Sequence, residues 1–192
     1  YDTTLNGNTD VFLSGFNSNG SDMLYGTFFG GAEKDSGIAI SGDDSGFIYI
    51  AGNTESSDLP VGSNSFQRSK SSWRDGFIFR LNTSTSSINS TYLGGNDDES
   101  FVDIYLDSKG EPVVLTETES STMPIMNYSF DKVLNGDSDF YFVKMDGNLS
   151  QIKYSTYFGG SYREWNPQAV GAPNGNIAFG GQSSSPDYPT SP

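Results

Sequence analysis

The residues of this 192-residue chain that could do chemistry are carboxylates, hydroxyls, amides and ten Lys or Arg side chains, because it contains neither His nor Cys. That pair of zeros removes the Ser-His-Asp triad, imidazole general bases, thiolate nucleophiles and sulfur-bound zinc or iron–sulfur sites. Two carboxylates flanking a glycosidic bond need neither residue, so a carboxylate glycosidase stays open as the weakest functional reading. The adjacent pairs Asp43-Asp44 and Asp97-Asp98 are its candidates. Both fall in turn-like sequence, where Asp is favoured for its local hydrogen bonds alone, so no catalytic residue is assigned. The stretch Asn96, Asp97, Asp98, Glu99 offers several oxygens to a hard cation, and calcium is the one cofactor it suggests. Its spacing matches neither an EF-hand loop nor a nonapeptide calcium repeat, and a solvated acidic turn is the competing explanation.

Five Asn-x-Ser/Thr sequons, at Asn19, Asn82, Asn89, Asn127 and Asn148, are candidate N-glycosylation sites. Asn19 and Asn148 occupy corresponding hairpin turns and are the best placed. The formal charge of −14 and pI near 4.1 disfavour nucleic acid and anionic membrane as partners. No run approaches the roughly 18 apolar residues of a membrane span. Arg68, Lys70 and Arg74 form one local basic cluster, read as a solvated loop. The chain opens at Tyr1 rather than Met and reads as a processed or trimmed piece of something longer.

The elements that must position these residues are strands. Phe (14), Tyr (11) and 23 Gly, with 30 Ser and 15 Asn, favour short strands joined by tight turns. The sequence also repeats. Gly30-Gly31 recurs as Gly94-Gly95 and Gly159-Gly160, and Asp10, Asp75 and Asp139 each precede an aromatic run, all at intervals of 64 or 65 residues. Leu59-Pro60, Met123-Pro124 and Tyr188-Pro189 keep the same period. Each period holds four strand-like runs, as in residues 75–82, 89–93, 101–106 and 112–116. Gly46, Gly110 and Gly175 sit where the turn between the third and fourth runs demands positive φ. The long connection after the fourth run includes residues 127–136, which predict one short helical turn stopped by Gly136. Asp10, Asp75 and Asp139 are expected to bond backbone at strand starts.

A tandem four-stranded antiparallel unit has the pattern of a β-propeller blade. Four motifs follow one another around the period: Tyr154-Ser-Thr-Tyr-Phe-Gly-Gly160, Gly46-Phe-Ile-Tyr-Ile-Ala-Gly52, Ser57-Asp-Leu-Pro60 and Asp75-Gly-Phe-Ile-Phe-Arg-Leu-Asn82. Together they resemble the seven-bladed β-propeller repeat (SBBP repeat) family, over essentially the whole chain. The third copy departs from the pattern at residues 162–173, where Trp165, Pro167 and Pro173 interrupt the usual strand. The resemblance implies extracellular or cell-surface proteins and supplies no catalytic residues.

The expectation is an all-β protein of tandem four-stranded antiparallel blades of β-propeller type, about three repeats of 64–65 residues. Residues 1–31 form a half blade, 32–95 and 96–160 two whole blades, and 161–192 a second half blade. Three are too few for a ring, since propellers close with about four to eight. The halves are therefore expected to meet head to tail, copy on copy, or to join further blades of a longer chain. The leading function is a non-enzymatic secreted or cell-surface structural subunit of a fibre. A glycan- or protein-binding propeller module is the alternative.

Overall fold

The computed structural model describes residues 2–171 and 176–190. Among them there are twelve strands and no helix. The strands are β1 (Val11–Phe16), β2 (Met23–Phe29), β3 (Asp35–Gly42), β4 (Phe47–Thr54), β5 (Asp75–Asn82) and β6 (Ser87–Leu93), followed by β7 (Glu99–Leu106), β8 (Pro112–Thr118), β9 (Asp139–Met145), β10 (Ile152–Phe158), β11 (Glu164–Gly171) and β12 (Ile177–Ser183). Every strand pairing is antiparallel. Two sheets have four strands, in the orders β3-β4-β5-β6 and β7-β8-β9-β10, and two have two strands, β1-β2 and β11-β12. No sheet closes on itself among the described residues.

The sheets pack face to face in chain order, because their strands carry apolar side chains on both faces. In β5, Phe77, Phe79 and Leu81 turn toward Val11, Leu13 and Phe29 of the first sheet. Ile78, between them in sequence, belongs to the opposite core with Phe101, Val114, Tyr141 and Val143 of the third. Period-two alternation thus feeds two cores from one strand. A smaller cluster of Val113, Leu115 and Phe142 receives Ala169 and Phe179 of the last sheet. Strand β7 lies against β3, β4 and β5, and β11 lies against β7, β8 and β9. Two tyrosines bridge loop to core in the same way: Tyr92 Oη donates to Ser56 O at 3.1 Å and accepts from Leu59 N at 2.9 Å, while Tyr157 Oη donates to Ser120 O at 2.7 Å and accepts from Met123 N at 2.9 Å.

Turns follow the expected chemistry. Gly46 and Gly110 have φ of 83° and 73°, as the β3–β4 and β7–β8 turns require. Gly175 lies outside the described residues, as does Pro173. Asp43 Oδ1 accepts from Ser45 N and Phe47 N, and Asp107 Oδ1 from Lys109 N and Glu111 N, so each carboxylate organises its own turn.

Two expectations are corrected. Residues 127–136 hold no helical turn; a β-turn closed by Ser129 N on Met126 O starts the segment, and Ser129 Oγ donates to Ser155 O, tying it to β10. The third copy also keeps its strand through the proline: β11 runs from Glu164, with Asn166 at φ 54° and a register shift between Trp165 and Gln168. This bulge places Pro167 where no ladder donor is needed.

Candidate functional site

Of the acidic residues singled out in the sequence, Asn96, Asp97, Asp98 and Glu99 do not converge. Asn96 Oδ1 accepts from Ser121 N at 3.0 Å and Thr122 Oγ1 at 3.0 Å, capping the loop after β8. Asp97 Oδ1 accepts from the backbone of Asp98, and Asp98 pairs with Arg74 at 3.6 Å. Only Glu99 points inward, and it is fully buried. Asp44 is exposed in its turn beside Asp43. In the basic cluster, Lys70 donates to backbone carbonyls of Glu55 and Trp73, and Arg74 is held by Asp98.

The structure instead brings carboxylates together at the seams between successive sheets. Asp75 at the start of β5 and Glu99 at the start of β7 meet over the bare Cα of Gly94. A Cβ there would lie 2.5 Å from Asp75 Cγ and 2.6 Å from Glu99 Oε2. Asp10 and Asp35 meet in the same way over Gly30, at 2.6 Å and 2.9 Å, and Asp139 and Glu164 over Gly159. A side chain at any of these glycines would occupy the space the carboxylates fill, which is the physical demand behind the first Gly of each Gly-Gly pair.

Each seam has the same framework. Asp35 N donates to Thr9 O at 2.7 Å, Glu99 N to Arg74 O at 3.1 Å and Glu164 N to Ser138 O at 3.1 Å, joining each sheet to the next. Asp10, Asp75 and Asp139 accept from the backbone just before their strands, from Asn6 and Gly7, Ser71 and Ser72, and Asn135. The second carboxylate of each pair takes hydroxyls: Ser56 to Asp35, Thr118 and Ser120 to Glu99, and Ser183 to Glu164. One oxygen at every seam has no hydrogen-bond partner: Asp35 Oδ1, Glu99 Oε2 and Asp139 Oδ1. Desolvation, with Asp75 nearby, pushes Glu99 up to about 8 against hydrogen bonds from Ser120 and Thr118 that pull it down. Desolvation likewise raises Asp139 to about 6, with Glu164 among the charges adding to it.

Asp35, Glu99 and Glu164 are 64 and 65 residues apart, the interval of the Gly pairs. That interval is the signal by which the sequence could have revealed them; the mixture of Asp with Glu in an acidic loop obscures it. Buried this deeply, Asp75, Glu99, Asp139 and Glu164 do not present themselves to a glycan chain. Among the described residues no three acidic side chains converge as a metal cage. The sequon residues Asn19, Asn127 and Asn148 are exposed, Asn82 and Asn89 half-buried, and Asn89 and Asn148 lie together through a side-chain to backbone hydrogen bond. No family model matches the chain, and no curated protein matches it.

Proposed function

We propose that the chain is a structural repeat module without chemistry of its own, built of propeller-type blades, that joins units of its own kind head to tail. The observation that carries this reading is the complementarity of the two half sheets. By the repeat interval β12 corresponds to β4 and β8, and β1 corresponds to β5 and β9. Since β4 pairs with β5 and β8 with β9, a sheet in the order β11-β12-β1-β2 would reproduce the four-stranded sheets already present. Exposure agrees with a covering unit: Phe12 is 72% exposed and Phe16 58%, whereas their counterparts Phe77 and Leu81 are fully buried by the preceding sheet. Such apolar surface beside an open strand edge is what proteins ordinarily cover. A place on the cell surface or outside the cell rests on the repeat resemblance and is part of the proposal.

The register of β4 on β5, Ile50 opposite Phe79, sets Phe179 opposite Ser14 of the next unit. The chain has no Cys, so the variant Ser14→Cys/Phe179→Cys tests this contact directly. Mild oxidation is expected to give a ladder of covalent oligomers, and Leu13→Cys/Phe179→Cys, one residue out of register, is expected to give none. A stable monomer at every concentration by light scattering, with no ladder, would overturn the assembly.

A further inference from the structure

We infer that each seam between successive sheets is a binding site for a hard divalent cation, of the calcium class, bridging the paired carboxylates Asp10/Asp35, Asp75/Glu99 and Asp139/Glu164. Carboxylates facing each other, both buried at the second and third seams and a buried Asp35 against a half-buried Asp10 at the first, must be neutralised by something. Among the described residues the ion pairs are Arg74–Asp98, Lys144–Asp107, Lys144–Glu111, Lys153–Glu111 and Arg163–Glu117, and none includes any of these six groups. The unpartnered oxygens stand on side chains that are themselves buried: Glu99 and Asp139 are 0% exposed and Asp35 2%. Each of these oxygens belongs to a carboxylate held against its partner carboxylate over a glycine Cα. Every other carboxylate oxygen at the three seams accepts a hydrogen bond. Each seam holds one unfilled acceptor, on the second carboxylate of the pair at the first two seams (Asp35, Glu99) and on the first at the third (Asp139), in a framework of equivalent backbone bonds.

The chemistry of the set fits a hard ion. All its donors are oxygen: two carboxylates, with seryl and threonyl hydroxyls at their backs. Calcium accepts mixed, irregular oxygen shells at about 2.3–2.6 Å and completes them with carbonyls and water, whereas magnesium insists on a small regular octahedron. Two carboxylates per ion, rather than the larger acidic set of a high-affinity loop, set the affinity in the weaker range typical of extracellular modules, roughly 0.1–1 mM. Each pair lies within one chain and does not depend on end-to-end assembly.

The test uses the full chain, stripped with a chelator, with calcium alone as the probe. Thermal unfolding is expected to shift upward by roughly 15–30 °C when calcium exceeds the dissociation constant a hundredfold at all three seams, about a third of that from each. Equilibrium dialysis is expected to find three ions per chain, and two in Glu99→Gln or in Asp139→Asn, both of which remove buried charge and so retain the fold without the ion. Terbium, a calcium substitute excited through tyrosine, is expected to luminesce, with loss of part of the signal in Glu99→Gln, whose seam lies near Tyr157. Binding that is unchanged in both variants would overturn the assignment. So would the absence of any calcium shift together with a chelated wild type that gains stability from pH 8 to pH 5, since a retained proton would then be the neutralising group.

Discussion

Gly76 sits in β5 under the ring of Phe101, which projects from β7 of the next sheet; a Cβ on Gly76 would fall on the ring atoms Cε2, Cδ2 and Cζ. Carbon atoms in contact stay about 3.5–4.0 Å apart, so Gly76→Ala requires the ring or its strand to retreat by roughly 1.5–2 Å. Phe101 has little room to do so: it is 1% exposed, and its N–H is fixed by Asn53 Oδ1 at 2.8 Å. Overpacking of this kind costs about 1–3 kcal/mol and sometimes more, and the depth of the overlap places Gly76→Ala at about 3 kcal/mol. Phe101→Leu removes the obstructing ring and is expected to cost about 1–2 kcal/mol by itself. If the two sheets meet at this contact, the double variant should lie within about 1 kcal/mol of Phe101→Leu, a coupling of roughly 2–3 kcal/mol. Urea titrations of the four proteins, read by tyrosine fluorescence and circular dichroism, measure it. Additive costs, or a Gly76→Ala that unfolds at the wild-type midpoint, would show that β5 and β7 do not face each other here.

Tyr157→Phe is expected to cost about 1–3 kcal/mol in urea unfolding, because it strips an acceptor from Met123 N and a donor from Ser120 O; Tyr92→Phe should match it through Leu59 and Ser56. In chelator, the raised pKa of Glu99 means that its contribution to stability is complete below its ordinary 4.5 and is lost as pH rises through about 8. The loss is on the order of 3–5 kcal/mol, so the urea midpoint should fall between pH 5 and pH 8.5 in wild type and fall less in Glu99→Gln. Phe12→Ser should leave the midpoint of dilute protein within about 0.5 kcal/mol while suppressing oligomers, whereas Phe77→Ala at the corresponding buried position should cost about 3–5 kcal/mol.

The strands are legible in the sequence because each is a short β-branched or aromatic run between turn formers, and the repeat lets a clear copy instruct a vague one. Residues 75–82 mark β5 at Asp75–Asn82 with no adjustment. The starts of β3, β7 and β11 are not legible: polar residues such as Ser36 and Ser100 open strands whose pairing comes from β4 and β8 rather than from their own propensity. The bulge at Asn166 has the same origin, since the ladder to β12 holds Trp165 and Gln168 on either side of it. The carboxylate seams are hidden for another reason. Asp75 and Glu99 belong to different sheets, and a strand pattern describes which face a residue takes, not what the facing sheet sets against it. The Tyr92 and Tyr157 hydroxyls leave no sequence signal either, because their partners Leu59 and Met123 lie 33 and 34 residues earlier and offer only backbone.

The Gly-Gly seams have a consequence for how such a protein changes over generations. Each four-stranded sheet is made of strands consecutive in the chain, and among the described residues it packs against strands of the sheets before and after it. A duplication or deletion whose two breakpoints fall at equivalent glycines, Gly94 and Gly159 for example, would add or remove a whole sheet with its seam and leave every remaining interface chemically familiar. Breakpoints elsewhere would split a sheet and expose its edges. Energies in such arrays sum over units and nearest neighbours. Length is therefore the property this architecture lets drift most freely, and unequal recombination at near-identical seam sequences is the event that would move it.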